Sequence, residues 1–225
     1  MAVNSVKTTE SPMLPEGLFE VGIRGRLLTL ATELFAARGY HGVSVRDLTE
    51  PLGVKSSSLY AQFASKEELY AELVFEANEQ ITARLRSVRD GTSATRFLRD
   101  LVTRYVEFHA TYPALARLAH NDLHVLSAQS LARVARNRRE GSETFLRAIT
   151  RGNETKEFAC AKPWLAVTAI ASLGIRVATW YQQPAAEDAV GGYPAEVHEW
   201  MHQDISVRTL CNTYADYALA MVGKR

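Results

Sequence analysis

Net charge is the first thing this sequence lacks. Its 225 residues carry 26 lysines and arginines against 25 aspartates and glutamates, a formal balance of +1. No overall field therefore draws it toward nucleic acid or an anionic surface. Cysteine is nearly absent. Cys160 and Cys211 lie far apart and form no CxxC pair, which excludes a disulfide framework and fits two core thiols in a reduced, cytoplasmic setting. No basic flank followed by an apolar run opens the chain, as a secretory leader would. The apolar stretch from Trp164 to Tyr181 carries Arg176, a charge that a membrane span avoids, so it reads as a bundle helix and no membrane partner is expected. Strand signals are few. GxGxxG, Walker and nucleophile-elbow frames are missing, and nothing points to a bound cofactor. What remains, 47% hydrophobic and 23% charged residues, is an ordinary globular composition with room for one or two domains.

The most informative stretch is residues 44–70. Leu48 and Leu52 share one face of a short helix. Gly53 supplies a turn residue that tolerates positive φ. Lys55, Ser56, Ser57 and Ser58 follow, with Leu59 and Phe63 facing inward and Tyr60 and Gln62 facing out. Two short helices about a glycine turn, the second with small polar residues at its start, make a helix-turn-helix unit suited to the DNA major groove. Between Glu20 and Tyr70 the charges cancel. Arg24, Arg26, Arg38, Arg46, Lys55 and Lys66 stand against Glu20, Glu33, Asp47, Glu50, Glu67 and Glu68, so DNA binding has to come from where the charges point.

The flanks give the remaining elements. Residues 1–19, with Pro12 and Pro15 and no periodicity, read as a flexible arm. A helix is expected from about Glu20 to Arg38 on the stripe Leu27, Leu28, Ala31, Leu34 and Phe35, ended by Gly39. Ser44 with Asp47 forms a near capping box, Pro51 should tighten the last turn of its helix, and Ser65 with Glu68 opens a long helix from Lys66 to about Val88. Further helices are expected at 93–111, 113–120, 122–151, 163–182 and 204–222, with Pro113 and Pro163 in first turns and Gly152 and Gly223 at helix ends. Residues 182–204 read as a long crossover or a short extra helix.

The strings LTLATELFAARGY (28–40), SVRDL (44–48), LGV (52–54), LY (59–60), Phe63 and SKEEL (65–69), in this order and spacing, resemble the TetR family of bacterial one-component regulators. The sequence departs from the common pattern at Lys55, which precedes a serine rather than following one, at Gln62, where a histidine is frequent, and at Pro51. The first two fall on the DNA-facing surface and bear on which operator is read. The resemblance implies an all-α subunit: an N-terminal three-helix DNA-binding domain (20–64) behind the arm (1–19), and a C-terminal helical ligand-binding and dimerisation domain (65–225). It implies a homodimeric repressor on a near-palindromic double-stranded DNA operator, released by a small apolar or aromatic effector, with no catalysed reaction. The expected DNA contacts are Arg24, Arg26, Ser44, Arg46, Lys55, Ser56, Ser57, Ser58, Tyr60, Gln62 and Lys66. Candidate effector contacts on the central helices are Phe75, Tyr105, Phe108, His109, Tyr112, Leu115, Leu118 and Trp164, most of which core packing would explain equally well. Leu165 to Tyr181 and Tyr214 to Gly223 resemble the last two helices, which pair between subunits in the family. Their small and aromatic stripe gives Ala169, Ser172, Leu173, Tyr214, Tyr217 and Met221 as dimer contacts.

Other constellations suggest other chemistry. His198-Glu199-Trp200-Met201-His202 fits the HExxH zinc-hydrolase signature, yet no glutamate follows Glu199 to complete the ligand set, and a surface histidine pair is the plainer reading. A zinc hydrolase using this motif is the alternative from another class. A helical ligand-binding protein without operator function is a third. His120 and His124 also stand four apart, as a satisfied or exposed pair or an adventitious metal site. Arg133, Arg136, Arg138 and Arg139 form a basic cluster read as a solvated face, with a second nucleic-acid contact or a gate for an anionic ligand as the sharper option.

Overall fold

The computed structural model describes residues 14–181 and 205–223, among which there are nine α-helices, two single turns of 3-10 helix and no strand. The helices are α1 (Ile23–Arg38), α2 (Val45–Thr49), α3 (Ser56–Tyr60), α4 (Lys66–Arg86), α5 (Ala94–Thr111), α6 (Pro113–Leu118), α7 (Ala128–Glu154), α8 (Pro163–Trp180) and α9 (Val207–Met221). The segment 182–204 and the HExxH motif within it lie outside the described residues, as do the first thirteen residues of the expected arm.

Local chemistry sets most boundaries. Helix α1 buries Leu27, Leu28, Ala31 and Phe35 and stops at Gly39, where φ is 69°. It starts three residues later than its apolar pattern suggests. Gly22 stands at φ 133°, and the backbone of Glu20 folds back over Gly25 so closely that a Cβ there would overlap it. Residues 14–19, expected as part of the arm, form turns, and Leu14 and Leu18 pack against the hydrophobic core. Ser44 and Asp47 close a reciprocal cap on α2: the Asp47 N–H donates to Ser44 Oγ, and the Ser44 N–H donates to the Asp47 carboxylate. Pro51 converts the end of α2 into the 3-10 turn Glu50–Leu52, and Gly53 follows in the left-handed region at φ 67°. Ser65 caps α4 by accepting from the Glu68 N–H. The Glu68 carboxylate reaches one residue further back than a capping box requires, to the N–H of Ala64.

Two apolar cores share α4. Its first half supplies Leu69, Tyr70, Leu73 and Val74 to a core with α1, α2 and α3 that also takes in Leu118, Leu126 and Val134. Its second half supplies Ala77, Ile81 and Leu85 to a core with α5, α7, α8 and α9. At 21 residues, α4 is about 32 Å long, enough to span both.

The middle of the chain departs from its sequence pattern. Instead of helices at 113–120 and 122–151, α6 ends at Leu118, a 3-10 turn occupies Leu123–Val125, and α7 runs from Ala128 to Glu154. Asp122 breaks the helical course at φ 45°, with its carboxylate accepting the Tyr40 N–H at 2.9 Å. Ser127 then caps α7 by accepting from the Ser130 N–H. Gly152 lies in the last turn of α7, which runs on to Glu154, and a Cβ there would overlap the Phe158 ring. Gly174 likewise lets α8 approach the Tyr105 ring of α5, so this small residue serves a contact inside the chain. Cys211 is buried, while Cys160 is half-buried at the core's edge. By length and composition α8 could cross a membrane, but Ala166, Val167, Ile170, Val177 and Ala178 on one side of it belong to the second core.

Candidate nucleic-acid interface and ligand cavity

Helices α2 and α3 are joined through the Pro51–Gly53 turn, with Leu48, Leu59 and Phe63 locking them onto α1 and α4. This packing leaves one edge of α3 outward. Lys55, Ser57 and Tyr60 are exposed, and Ser56, Ser58 and Gln62 are half-buried beside them. Lys55 is the N-cap that precedes α3, and its side chain makes no capping bond. Arg46 is exposed on α2, and exposed Arg26 leans onto the Leu52 carbonyl at 3.3 Å. Lys55, Ser57 and Tyr60 are thus the outward groups of α3, with Arg46 and Arg26 exposed on the neighbouring α2 and α1, and cations and hydroxyls of this kind can bond base edges and phosphate oxygens.

Three residues expected on this face have other work. Arg24 pairs with Glu72, donates to the Gln62 carbonyl at 3.2 Å and covers the Phe63 ring. Lys66 donates to the carbonyls of Tyr40 and Val43 at 2.9 and 2.8 Å and sits 4.0 Å over the Tyr40 ring. Burial there pulls its pKa below the usual lysine value. The Ser44 hydroxyl is held in the α2 cap, donating to the Asp47 carboxylate at 2.6 Å, and these Ser44 bonds hold the Asp47 pKa down. Arg24 and Lys66 therefore fasten the helix-turn-helix unit from behind, and Ser44 stabilises its first helix.

A cavity of about 90 Å³ lies among α4, α5, α7 and α8. Its apolar walls are Ile81, Leu85, Tyr105, Phe145, Val167 and Ile175, and its polar groups come from Asn78, Thr82, His120, Arg138 and Ser142. Of the eight effector contacts expected from the sequence, Tyr105 lines it. Phe108, Leu115 and Leu118 are core residues, and His109 is fully buried behind His120. Phe75 lies under the Arg133 guanidinium, Tyr112 lies beside Arg84, and Trp164 is 55% exposed on the far side of α8. A larger depression of about 720 Å³ runs along residues 87–93 and the outer face of α5. It is an open groove whose α5 wall carries the Arg96–Asp100 and Arg104–Glu107 ion pairs, unsuited to an apolar ligand.

The histidine pairing also differs from the sequence spacing. His120 faces His109, with Nε2 atoms 3.2 Å apart and rings stacked at 5.5 Å, while the exposed His124 lies near His41. Burial depresses the His109 pKa to about 4, and burial, followed by the nearby His109 and Arg138, depresses that of His120 well below the ordinary value. The neighbouring backbone is laced in place. Asn78 donates to the Ala119 carbonyl at 3.2 Å, Tyr70 to the Asn121 carbonyl at 3.0 Å, and Asp122 accepts from Tyr40. Residues 119–122 thus touch the cavity on one side and the helix-turn-helix core on the other. Asn78 and Thr82 were missed as lining residues. Their signal in the sequence is a pair of polar residues four apart on a helix face otherwise built of Val74, Ala77, Ile81 and Leu85.

On the outside of α8 and α9, Trp164, Leu165, Ala169, Ser172, Tyr217 and Met221 are exposed, with Leu173 and Tyr214 half-buried among them. This apolar strip, 64% exposed at Leu165 and 54% at Tyr217, has no covering element among the described residues.

Comparison with known proteins places this arrangement. Residues 27–73 match the family profile described as "Bacterial regulatory proteins, tetR family", and residues 90–184 match "Tetracyclin repressor-like, C-terminal domain", together well over half the chain. A 70-residue stretch is 44% identical to the HTH-type transcriptional repressor KstR2 of Mycobacterium tuberculosis, covering 31% of this chain and 35% of that protein. The matched part is thus about a third of that relative's length. KstR2 of Rhodococcus jostii is 28% identical over 139 residues, covering 61% of this chain and 68% of the relative. A crystal structure of a bacterial regulatory protein in the tetR family from Rhodococcus RHA1 superposes with a TM-score of 0.78 at 27% identity, covering 92% of this chain and 100% of that one.

Proposed function

The chain belongs to the TetR family of bacterial regulatory proteins, and from that premise we propose that it is a ligand-responsive DNA-binding repressor, acting in the cytoplasm as a homodimer on a near-palindromic operator. One observation carries the reading: the exposed edge of α3, where Lys55, Ser57 and Tyr60 stand clear of a helix pair locked by Leu48, Leu59 and Phe63. Arg26 and Arg46 flank that edge and reach phosphates, while Ser56, Ser58 and Gln62 line its sides. Two such edges, held at a fixed distance by pairing of the apolar strips on α8 and α9, read two half-sites.

Residues 20–64 form the reader and residues 65–225 hold the effector and the partner subunit. The presence of two apolar cores supports a division of this kind, although the first also draws on α4, Leu118, Leu126 and Val134 from beyond residue 64. The effector is a small, largely apolar molecule taken into the cavity beside His120. Residues 119–122 connect it to the reader, because any displacement of His120 pulls on the Tyr70 and Tyr40 contacts. A ligand that fits only the displaced arrangement lowers operator affinity by its difference in affinity for the two states, and by no more.

The test is direct. The purified full chain is presented with random duplex DNA, the retained sequences are read, and binding is measured by gel shift. Recovery of a near-palindrome is expected. Lys55→Ala should weaken its binding by about 1–3 kcal/mol with unchanged helix content and mass. Selection that recovers no preferred sequence would reject the repressor reading.

A further inference from the structure

Two neutral imidazoles in a row define which hydrogen-bonding group a ligand must bring. His109 Nδ1 lies 2.7 Å from the Tyr105 carbonyl oxygen. A carbonyl only accepts, so His109 carries its proton on Nδ1 and its Nε2 is a bare acceptor. His120 Nε2, 3.2 Å from that acceptor, must then be the protonated nitrogen of its own ring. This leaves His120 Nδ1 as a lone pair, and that atom is buried without a hydrogen-bond partner. A buried acceptor left unpaired is costly, and it sits on a residue that lines the cavity. The same cavity is bordered by Arg138, which is exposed and forms no ion pair among the described residues. No group of three potential metal ligands exists among the described residues, so the pair is better matched to an organic ligand than to an ion.

Resting on the reading of this cavity as the effector site, we infer that the effector carries an O–H or N–H donor for His120 Nδ1 and, at the same end, an anionic group for the neighbouring Arg138, joined to an apolar body. Arg138 works against the obvious alternative, in which His120 is protonated and holds the anion itself, since its positive charge opposes a second one nearby. The apolar walls of the same cavity, Ile81, Leu85, Phe145, Val167 and Ile175, reject a polar remainder. At about 90 Å³ the space admits a short chain or single ring. A longer body requires α7 and α8 to part, and this couples ligand size to the shape of the subunit.

The experiment uses 3-hydroxy acids of six to ten carbons, each beside its methyl ether, which lacks the donor, and its methyl ester, which lacks the charge. Binding to the full chain is measured by calorimetry. At the best length the hydroxy acid should bind roughly tenfold or more tightly than either derivative. His120→Phe should make acid and ether equal, and Arg138→Gln should make acid and ester equal. The Arg138 side chain is on the surface, so that variant keeps one half of the test independent of whether His120→Phe folds. Equal binding of acid and ether by the unaltered chain, a preference that survives His120→Phe, or no saturable binding in the whole series would overturn the inference. Gel shifts with the selected operator on the same preparations separate the two readings. A chain that binds its operator but ignores the series retains the repressor function with a different effector, whereas one that recovers no operator fails as a repressor whatever calorimetry gives.

Discussion

Two of the cations nearest the DNA-facing edge point away from it. Lys66 joins the loop after α1 to the start of α4 through two carbonyls and the Tyr40 ring. Lys66→Met should therefore lower stability by about 1–3 kcal/mol, the cost of losing charged hydrogen bonds at a half-buried site. The slope of operator affinity against salt should stay unchanged, because no phosphate contact is lost. A slope shallower by about one counterion would return Lys66 to the interface. His109 gives a second prediction, about pH. Its folded pKa of about 4 lies below the unfolded value of 6.5, so between these values the unfolded chain binds more protons and acid favours unfolding. Stability should be full above pH 6.5 and fall by something on the order of 3 kcal/mol as pH drops toward 4, with His120 adding in the same direction. Glu157 acts in a different window. The Thr95 and Ala94 N–H groups hold its pKa near 2, so its contribution is full above about pH 4.5 and lost only below. Urea midpoints at pH 7, 6 and 5 therefore report the histidines, and a flat series would contradict their burial as neutral rings.

At the level of elements, the four residues 119–122 join α4 in meeting both the cavity and the helix-turn-helix core. Tyr70→Phe removes the donor to the Asn121 carbonyl and keeps the ring packed against Phe35 and Tyr40. Operator affinity should change by less than about threefold, while release by an effector should need a higher ligand concentration, since one of the links to α4 is gone. Unaltered release in gel-shift titrations would mean that the coupling runs elsewhere. These contacts also mark where the sequence stops being readable. Ser44, Pro51, Gly53 and Ser65 act on their own neighbours within a few residues, so the helix-turn-helix unit can be read from a short string. Asp122 takes its left-handed backbone because Tyr40, far away in sequence, supplies a partner, and no local pattern announces that. Which of the expected effector contacts line the cavity was illegible for a related reason. Phe108, Leu115 and Tyr105 share one apolar pattern, and which of them meets empty space depends on how small the opposing residues are, here Gly141 and Ala171 across from Tyr105.

For the whole molecule, the proposed function depends on a surface that a single chain leaves open. Leu165, Ala169, Ser172 and Leu173 on α8 run beside Tyr217 and Met221 on α9, and Trp164 extends the strip instead of lining the cavity as its position in the sequence suggested. Exposed apolar side chains in one contiguous band mark an interaction surface. A two-fold pairing would place α8 and α9 of each copy against those of the other, burying the band in a helical bundle. These side chains point away from the subunit's own core, so the pairing can be tested without disturbing the fold. Leu165→Glu with Tyr217→Glu should give a protein of monomeric mass by light scattering at micromolar concentration, with helix content unchanged by circular dichroism. Its operator affinity should fall by roughly a hundredfold or more, because each reader then binds its half-site alone and the gain from linking two is lost. A dimeric mass for this variant would place the interface on another surface. A monomer with full operator affinity would mean that one copy of α3 is enough, and the spacing of two readers could no longer be the quantity that an effector changes.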